Sequence, residues 1–303
     1  MKRLARFPGR FYLATFLITL IVLFGFLGPV VFSGHNANDV VGGLYDHPSG
    51  KAWLGTDNIG HDVFGELMYG TRASLEIGLL AGLLSTVVGT IIGVVAGYVG
   101  GMVDEMLMGL TNVLLTIPPI VILILILVSL NTSGTLVLAI VLASTAWTWT
   151  ARAVRAQASS IRVREHIDVA RLSGANTFGI MSLDVLPYML SYIFMAFVLQ
   201  VAGAILAEAG LALLGLRANG VSLGIMLHWS LAFEALRTGA WWAFVPPTVL
   251  LTLIAFGLLL LQSSLDEVFN PRLRRSRKVR RLAAATLSAP AVAPDPEEVA
   301  VRS

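Results

Sequence analysis

Three histidines share one polar segment with several carboxylates, and side chains of these types could together bind a metal ion. The segment lies between residues 33 and 72 and contains His35, His47, His61, Asp39, Asp46, Asp57, Asp62 and Glu66. Imidazole nitrogens and carboxylate oxygens are ligands for divalent metals, but their spacing here matches none of the recurrent ligand patterns. Solvated loop side chains explain the segment more simply, and we predict no metal site.

Other motifs that carry chemistry are missing from the sequence. None of the three lysines, Lys2, Lys51 and Lys278, lies in a GxxxxGK[ST] phosphate loop, and neither GxSxG nor HExxH occurs. The absence of cysteine excludes disulfides, thiolate metal sites and cysteine nucleophiles. We expect no catalytic residue and no cofactor in this chain, which is not an enzyme by itself. If ATP drives its function, another polypeptide must bind the nucleotide.

The stretch from Asp168 to Pro187 is polar, although long apolar runs flank it on both sides. Residues 152–172 are alanine-rich with interspersed arginines and predict a helix, after which Gly174 permits a sharp reversal. Asn176 can cap a second short helix that Pro187 ends before the next apolar run. Two short helices joined by a tight bend are typical of a docking element for a partner.

The rest of the chain has the composition of a membrane protein. Hydrophobic residues make up 56% and charged residues 13% of the 303 residues, whereas soluble domains carry about 25% charge. Six apolar runs are long enough to cross a bilayer. We predict an all-α polytopic fold with six transmembrane helices at residues 11–32, 74–99, 106–129, 135–151, 187–208 and 241–263.

The distribution of basic residues predicts the orientation. With the N-terminus inside the cell, seventeen of the 21 Lys and Arg residues fall on the cytoplasmic side, in agreement with the positive-inside rule. Both termini and the 152–187 segment are then cytoplasmic. We expect three parts: an N-terminal helix with an extracytoplasmic segment (1–72), a core of five transmembrane helices (73–265) and a basic, disordered cytoplasmic tail (266–303).

Several residues inside the spans could serve helix packing or a translocation path. Gly89, Gly93 and Gly97 repeat every four residues on one helix face, and such stripes mostly serve close packing. Pro118 and Pro119 must kink or break the third span. Glu208, like Glu76, is expected close enough to a membrane interface to be hydrated. The apolar midplanes of the spans argue against a proton-coupled transporter.

The polar stretch resembles the cytoplasmic EAA motif of ABC-importer permeases. Asp168, Val169 and Ala170 stand at the Glu-Ala-Ala triplet, Gly174 at the glycine, and Leu186-Pro187 at the closing Leu-Pro. Asp replaces Glu and Val replaces the middle Ala. The resemblance implies that Asp168, Ala170, Arg171, Gly174, Ala175, Asn176 and Pro187 couple the chain to a separate ATPase.

A second resemblance narrows the family. LGTDNIGHDVFGELMYGTRASL (54–75) is similar to the segment after the first span in dipeptide/oligopeptide permeases, although His61 stands where that family usually has arginine. Ser263 and Asp266 depart from it in the last helix. ILAEAGLALLGL (205–216), SLGIML (222–227), Trp241-Trp242 and NPRLR (270–274) are also similar, so the resemblance spans residues 11–274.

This resemblance implies the type I ABC-importer permease fold and a place in a bacterial inner (plasma) membrane. The implied partners are a homologous second permease, two ABC ATPase subunits or a fused one, which bind ATP and magnesium, an extracytoplasmic substrate-binding protein and the lipid bilayer, with no nucleic acid. Segment 209–240 would lie near the binding protein. Di- and oligopeptides are the implied substrates. Nickel, glutathione or sugar remains an alternative, and an ion-coupled secondary transporter is a more distant one.

Overall fold

The computed structural model describes residues 9–130, 134–216 and 220–269, and in these ranges the chain is helical apart from turns and two isolated bridges. The helices are α1 (Gly9–Val31), α2 (Val63–Val99), α3 (Gly101–Thr116), α4 (Pro119–Leu130), α5 (Thr135–Arg162), α6 (Glu165–Leu172), α7 (Thr177–Gly179), α8 (Leu186–Leu213), α9 (Leu223–Ala232) and α10 (Trp241–Phe269). A π-helical turn, Ile180–Val185, joins α7 to α8.

Five of these helical segments are long and apolar enough to cross a membrane: α1, α2, α5, the continuous unit Thr177–Leu213, and α10. A sixth span forms if α3 and α4 count as one, since they meet at a bend of 84°. The bend falls at Pro118 and Pro119, whose missing N–H groups end α3 at Thr116. The predicted break of the third span is confirmed, and so is the all-α polytopic fold.

The polar ends of two spans extend beyond their predicted limits. The 37 residues of α2 measure about 55 Å, well over the ~30 Å hydrocarbon core. This helix begins at Val63 because the Asp62 carboxylate accepts a hydrogen bond from the Phe64 amide at 3.1 Å, so it crosses the predicted domain boundary at residue 72. α5 likewise continues through polar residues to Arg162.

The glycine stripe of α2 lies against the backbone of α5. A Cβ atom on Gly89 would lie 2.6 Å from Cβ of Thr150, and one on Gly93 would lie 2.6 Å from the carbonyl oxygen of Ala151. Gly97 meets the Arg155 carbonyl in the same way, at 2.5 Å. The absence of side chains at these positions therefore sets the distance between the two helices.

The two ends of α2 carry different structures. At its N-terminal end, the segment before Val63 folds over α9 and α10, and the Trp242 indole donates a 3.1 Å hydrogen bond to the Thr56 carbonyl. Residues 209–240, which connect the last two predicted spans, contain the helix α9, and most of its residues are buried. At the C-terminal end of α2 lies α6. Of the predicted tail, Asp266 to Phe269 complete α10, and residues 270–303 lie outside the described part.

Candidate functional site

The short helix α6 is anchored in the core mainly by Ile167, with Ala170 packed against the same cluster. Ile167 is fully buried in a cluster with Val94 and Tyr98 of α2 and Val154 of α5. The sequence predicted a single helix over 152–172, and this was wrong, since α5 ends at Arg162 and Arg164 is extended (φ −87°, ψ 144°). The break turns α6 so that Ile167 faces the core, and this burial overrides the helix propensity of the segment.

The turn after α6 closes with two backbone hydrogen bonds. The Ala175 amide donates to the Ala170 carbonyl at 3.1 Å, and the Gly174 amide donates to the Arg171 carbonyl at 3.0 Å. Together these are the bonds of a Schellman motif, which requires a left-handed residue that Gly174 supplies at φ +81°. A Cβ at Gly174 would meet nothing within 4 Å, so the requirement is conformational rather than steric.

The chain leaves this turn through an asparagine cap. The Asn176 side-chain oxygen accepts a hydrogen bond from the Gly179 amide at 2.6 Å. The prediction that Pro187 ends a separate short helix was wrong, because Thr177–Leu213 is continuous. The wider π-helical turn Ile180–Val185 comes directly before Leu186 and Pro187. Pro187 has no backbone N–H to donate, and its ring crowds the preceding helical turn.

The charged side chains of α6 connect the turn to α2. Arg171 pairs with Asp168 at 3.1 Å, and its Nε donates a 3.4 Å hydrogen bond to the Tyr98 hydroxyl. Its guanidinium also lies 5.5 Å from the centre of the Tyr98 ring. The hydrogen bond to Tyr98 raises the pKa of Arg171 further above its usual value, so the group stays charged.

Large apolar side chains are exposed around the turn. Leu172 is 89% and Phe178 74% exposed, with Val169 close by and also exposed. Sequence reasoning missed Leu172 and Phe178 as site residues, although apolar residues inside the one polar stretch were a usable signal. We name the surface formed by Asp168 to Phe178 the turn surface. Apolar side chains flanked by charges are typical of a protein-protein contact.

Glu208 lies away from this surface in a buried polar cluster. Only 1% exposed, it accepts hydrogen bonds from the Ser222 hydroxyl at 2.6 Å and the Ser74 hydroxyl at 3.3 Å. The expectation of a hydrated position was wrong for Glu208, because the residues leading into α9 cover it. Glu76 is part-exposed and pairs with Arg72 at 2.8 Å.

An open cavity of about 440 Å³ lies between α5, α8 and α10. Its wall is mainly apolar and includes Trp149 and Tyr192, with amide groups from Gln200 and Gln262. Gln200 also holds α5, since its amide nitrogen donates to the Ala146 carbonyl and the Thr150 hydroxyl, each at 2.7 Å. None of the residues predicted for a path, Gly89, Gly93, Gly97, Pro118, Pro119 and Glu208, lines this cavity.

The three histidines of the first polar segment lie in different surroundings. His35 contacts the Asp62 carboxylate at 2.5 Å, and the His47 ring contacts the Trp242 ring at a tilt of 51°, with ring centres 4.7 Å apart. His61 instead lies beside Asp57 and Glu66, a grouping that the sequence did not predict. The pKa of the neighbouring Tyr45 hydroxyl is raised above its usual value, mainly by burial and to a smaller extent by the negative charge of Asp57.

Comparison with known proteins gives consistent matches over this fold. Residues 89–275 match the family described as binding-protein-dependent transport system inner membrane component. The dipeptide transport system permease protein DppC of Bacillus subtilis is 33% identical over 75% of this chain and 71% of its own length. A putative peptide transport system permease protein of Brucella abortus is 31% identical over 90% of this chain and 91% of its own length. The oligopeptide transport system permease protein OppC of Mycobacterium bovis is 32% identical over 78% of this chain and 81% of its own length.

Proposed function

Since the chain belongs to the family of binding-protein-dependent transport system inner membrane components, we propose that it forms half of a peptide translocation path and takes its driving motion from a separate ATPase. As a permease component of an ABC importer, it is a multi-pass protein of the bacterial inner membrane. The names of its relatives favour peptides over nickel, glutathione or sugar as substrate. Family membership likewise favours an ABC importer over an ion-coupled transporter.

The turn surface is the proposed contact for the ATPase. One observation carries this assignment: eight consecutive residues, 171–178, are exposed, yet their backbone is fixed by the Schellman bonds and the Asn176 cap. A fixed, exposed turn with apolar side chains can enter a groove at little cost in conformational entropy. In this proposal Leu172 and Phe178 fill the groove and Asp168 lies at its rim.

The same element can transmit a movement because it is tied to the spans. Ile167 is buried against α2 and α5, and Arg171 contacts Tyr98 at the end of α2. The continuous helix from Thr177 to Leu213 leads from the turn directly into a predicted span. A displacement of the turn surface by the ATPase would therefore reorient α2, α5 and α8 together, which is the kind of motion that alternating access requires.

The proposed partners follow from the family and from what this chain lacks. A homologous second permease would complete the path, and a binding protein would deliver peptides to the end that carries α9. ATP and magnesium would be bound by the ATPase subunits, because the sequence has no phosphate loop. Both termini and the turn surface would face the cytoplasm.

We propose that the cavity between α5, α8 and α10 is the part of the translocation path that this chain forms. Its apolar wall with two amide side chains can pass peptides of varied sequence without binding one side chain tightly. In this proposal Gly89, Gly93 and Gly97 serve the packing of α2 on α5, and Glu208 serves the buried cluster with Ser74 and Ser222.

Uptake by the reconstituted transporter tests the proposal. The chain, its second permease, the ATPases and the binding protein would be placed in proteoliposomes and supplied with radiolabelled di- and oligopeptides. The proposal expects peptide accumulation that requires ATP hydrolysis and the binding protein. Accumulation of nickel or a sugar in place of peptides would contradict the substrate assignment, and uptake driven by an ion gradient alone would contradict the coupling.

A further inference from the structure

Asp57, His61 and Glu66 bring three potential metal ligands together at the N-terminal end of α2. The His61 Nδ1 lies 3.7 Å from Asp57 Oδ2 and 3.8 Å from Glu66 Oε1. All three ligand atoms lie within 4.8 Å of one another. Residues 57 and 61 belong to the turn before α2 and Glu66 to its first helical turn, so the group joins two adjacent pieces of structure.

These separations suit a bound ion better than hydrogen bonds. Distances of 3.7 and 3.8 Å are too long for an N–H···O hydrogen bond, which measures about 2.7–3.2 Å. Around a tetrahedral zinc with bonds of ~2.0–2.2 Å, neighbouring ligand atoms lie about 3.3–3.6 Å apart. Because the three ligand atoms lie up to 4.8 Å apart, the two carboxylates would have to approach each other by about 1 Å to share a tetrahedral ion with the imidazole.

The backbone fixes two of the three ligands. Oδ1 of Asp57 accepts hydrogen bonds from the amides of Ile59 at 2.9 Å and His61 at 2.7 Å, which leaves Oδ2 directed at the imidazole. The Asp57 amide in turn donates to the His61 carbonyl at 3.0 Å. Gly60 makes this turn possible with φ +90°, and its Cα lies so close to the Gly42 carbonyl that no Cβ would fit. The loop therefore holds Asp57 and His61 in place before any ligand arrives.

Glu66 supplies an independent sign that the group has a ligand to receive. Its side chain is only 9% exposed, and within the described residues no donor forms a hydrogen bond to its carboxylate. In the same part of the chain, neither Asp57 nor Glu66 pairs with a lysine or arginine. Two buried carboxylates beside each other are stabilised either by a bound proton or by a neighbouring positive charge, and a metal ion would supply that charge.

The space beside the carboxylates is large enough for one further ligand. Asp57, Glu66, Tyr45 and Ser230 are among the residues that line a cavity of about 10 Å³, about the volume that one water occupies. The neighbouring Asp62 is already engaged, since it caps Phe64 and contacts His35, so it is not counted among the ligands.

We propose that Asp57, His61 and Glu66 bind one divalent transition-metal ion of the Zn²⁺ class, with water in the remaining position. One imidazole nitrogen with two carboxylate oxygens is a donor set that zinc accepts and that calcium or magnesium rarely uses. The ion would crosslink the segment before α2 to the first turn of that helix. Through Tyr45, whose hydroxyl donates to the Phe233 carbonyl at 3.3 Å, the crosslink extends to the end of α9.

Metal titration of the assembled transporter tests this site. The complex, purified with an affinity tag that contains no histidine and stripped with EDTA, is titrated with Zn²⁺ against a chromogenic chelator. We expect the wild type to bind one more zinc per copy of this chain than H61Q or E66Q, or these variants to bind it at least about tenfold more weakly, since loss of even an outer-shell partner costs that much. H228Q and E76Q, which change the same residue types outside the group, should match the wild type.

Two results would overturn the site. One is zinc binding by H61Q and E66Q equal to that of the wild type, which would place any bound zinc elsewhere and leave a protonated His61 as the counter-ion. The other concerns the wild type alone and does not depend on the folding of any variant: X-ray absorption of the bound zinc that shows sulfur or several imidazoles. A coordination sphere of one imidazole with oxygen ligands supports the site.

Discussion

Arg171 in α6 and Tyr98 in the last turn of α2 contact each other in two ways. The Arg171 Nε donates a 3.4 Å hydrogen bond to the Tyr98 hydroxyl, and the guanidinium lies 5.5 Å from the centre of the ring. Because α2 continues to the opposite end of the fold and packs against α5 and α8 on the way, this contact joins the exposed turn surface to the whole bundle.

Replacing Arg171 with alanine should weaken coupling without unfolding the chain. The hydrogen bond and the cation–π contact are partly exposed, so their loss costs ~1 kcal/mol. We expect peptide uptake per ATP hydrolysed to fall about fivefold, the factor that corresponds to this energy, and Tyr98→Phe to have a smaller effect. The measurement is uptake together with ATPase activity in proteoliposomes. Arg237→Ala removes an exposed i,i+3 pair with Glu234 away from α6 and should leave the ratio unchanged.

The left-handed conformation of Gly174 predicts a graded series of substitutions. Asn tolerates φ +81° best, Ala carries a strain of about 1 kcal/mol, and Pro cannot adopt it at all. Uptake should therefore decrease from Gly174→Asn to Gly174→Ala and disappear in Gly174→Pro, with all three variants inserted in the membrane. Gly239, at φ +80° with nothing near its Cβ position, is the matched control. Normal uptake by Gly174→Pro would contradict the role of the turn.

A methyl group on Gly93 should destabilise the bundle rather than the coupling. The added Cβ would lie 2.6 Å from the Ala151 carbonyl, so α2 and α5 would have to separate. Overpacking of this kind costs about 1–3 kcal/mol. We expect Gly93→Ala to lower the thermal unfolding temperature of the detergent-solubilised protein by several degrees. Gly109→Ala, where nothing lies within 4 Å, should not, and equal melting of both variants would argue against the close packing.

The buried Glu208 cluster predicts a difference between two substitutions. Gln keeps one acceptor oxygen and places its amide NH2 at the position of the other, whereas Ala leaves both the Ser74 and the Ser222 hydroxyl without their acceptor and opens a cavity. Unsatisfied buried groups cost about 1–3 kcal/mol each, so Glu208→Ala should unfold well before Glu208→Gln. Thermal unfolding in detergent measures this, with the exposed Glu234→Ala as control. A Glu208→Ala variant as stable as wild type would show that the cluster does not stabilise the fold.

Sequence patterns predicted the membrane-crossing part of the fold closely. The first and last spans, 11–32 and 241–263, correspond to Gly9–Val31 and Trp241–Phe269, because apolar length is set by bilayer thickness. Where a helix extends beyond the membrane, its composition becomes as polar as that of a soluble segment, and the sequence then gives no clear sign of where the helix ends. Residues 152–162 were predicted to be helical, but their continuity with the span at 135–151 was missed for that reason, as was the continuity of the helix through Pro187.

The site was predictable in its local part only. Gly174 and Asn176 are recognisable as turn and cap residues from their types alone, and the structure has them in those conformations. The contact of Arg171 with Tyr98 joins residues 73 positions apart, and no local pattern predicts it. The grouping of Asp57, His61 and Glu66 was not predicted either, because the Gly60 turn brings Asp57 to His61 and their spacing matches no recurrent ligand pattern.

Photo-crosslinking from the turn surface tests the central claim most directly. A benzoyl-phenylalanine placed at Phe178, which is 74% exposed, would be irradiated in the assembled transporter. We predict a crosslink to the ATPase subunit, with none from the same group at Leu44, which is 70% exposed near the opposite end of α2. A crosslink to the ATPase from Leu44 but not from Phe178 would contradict the account, as would none from either position.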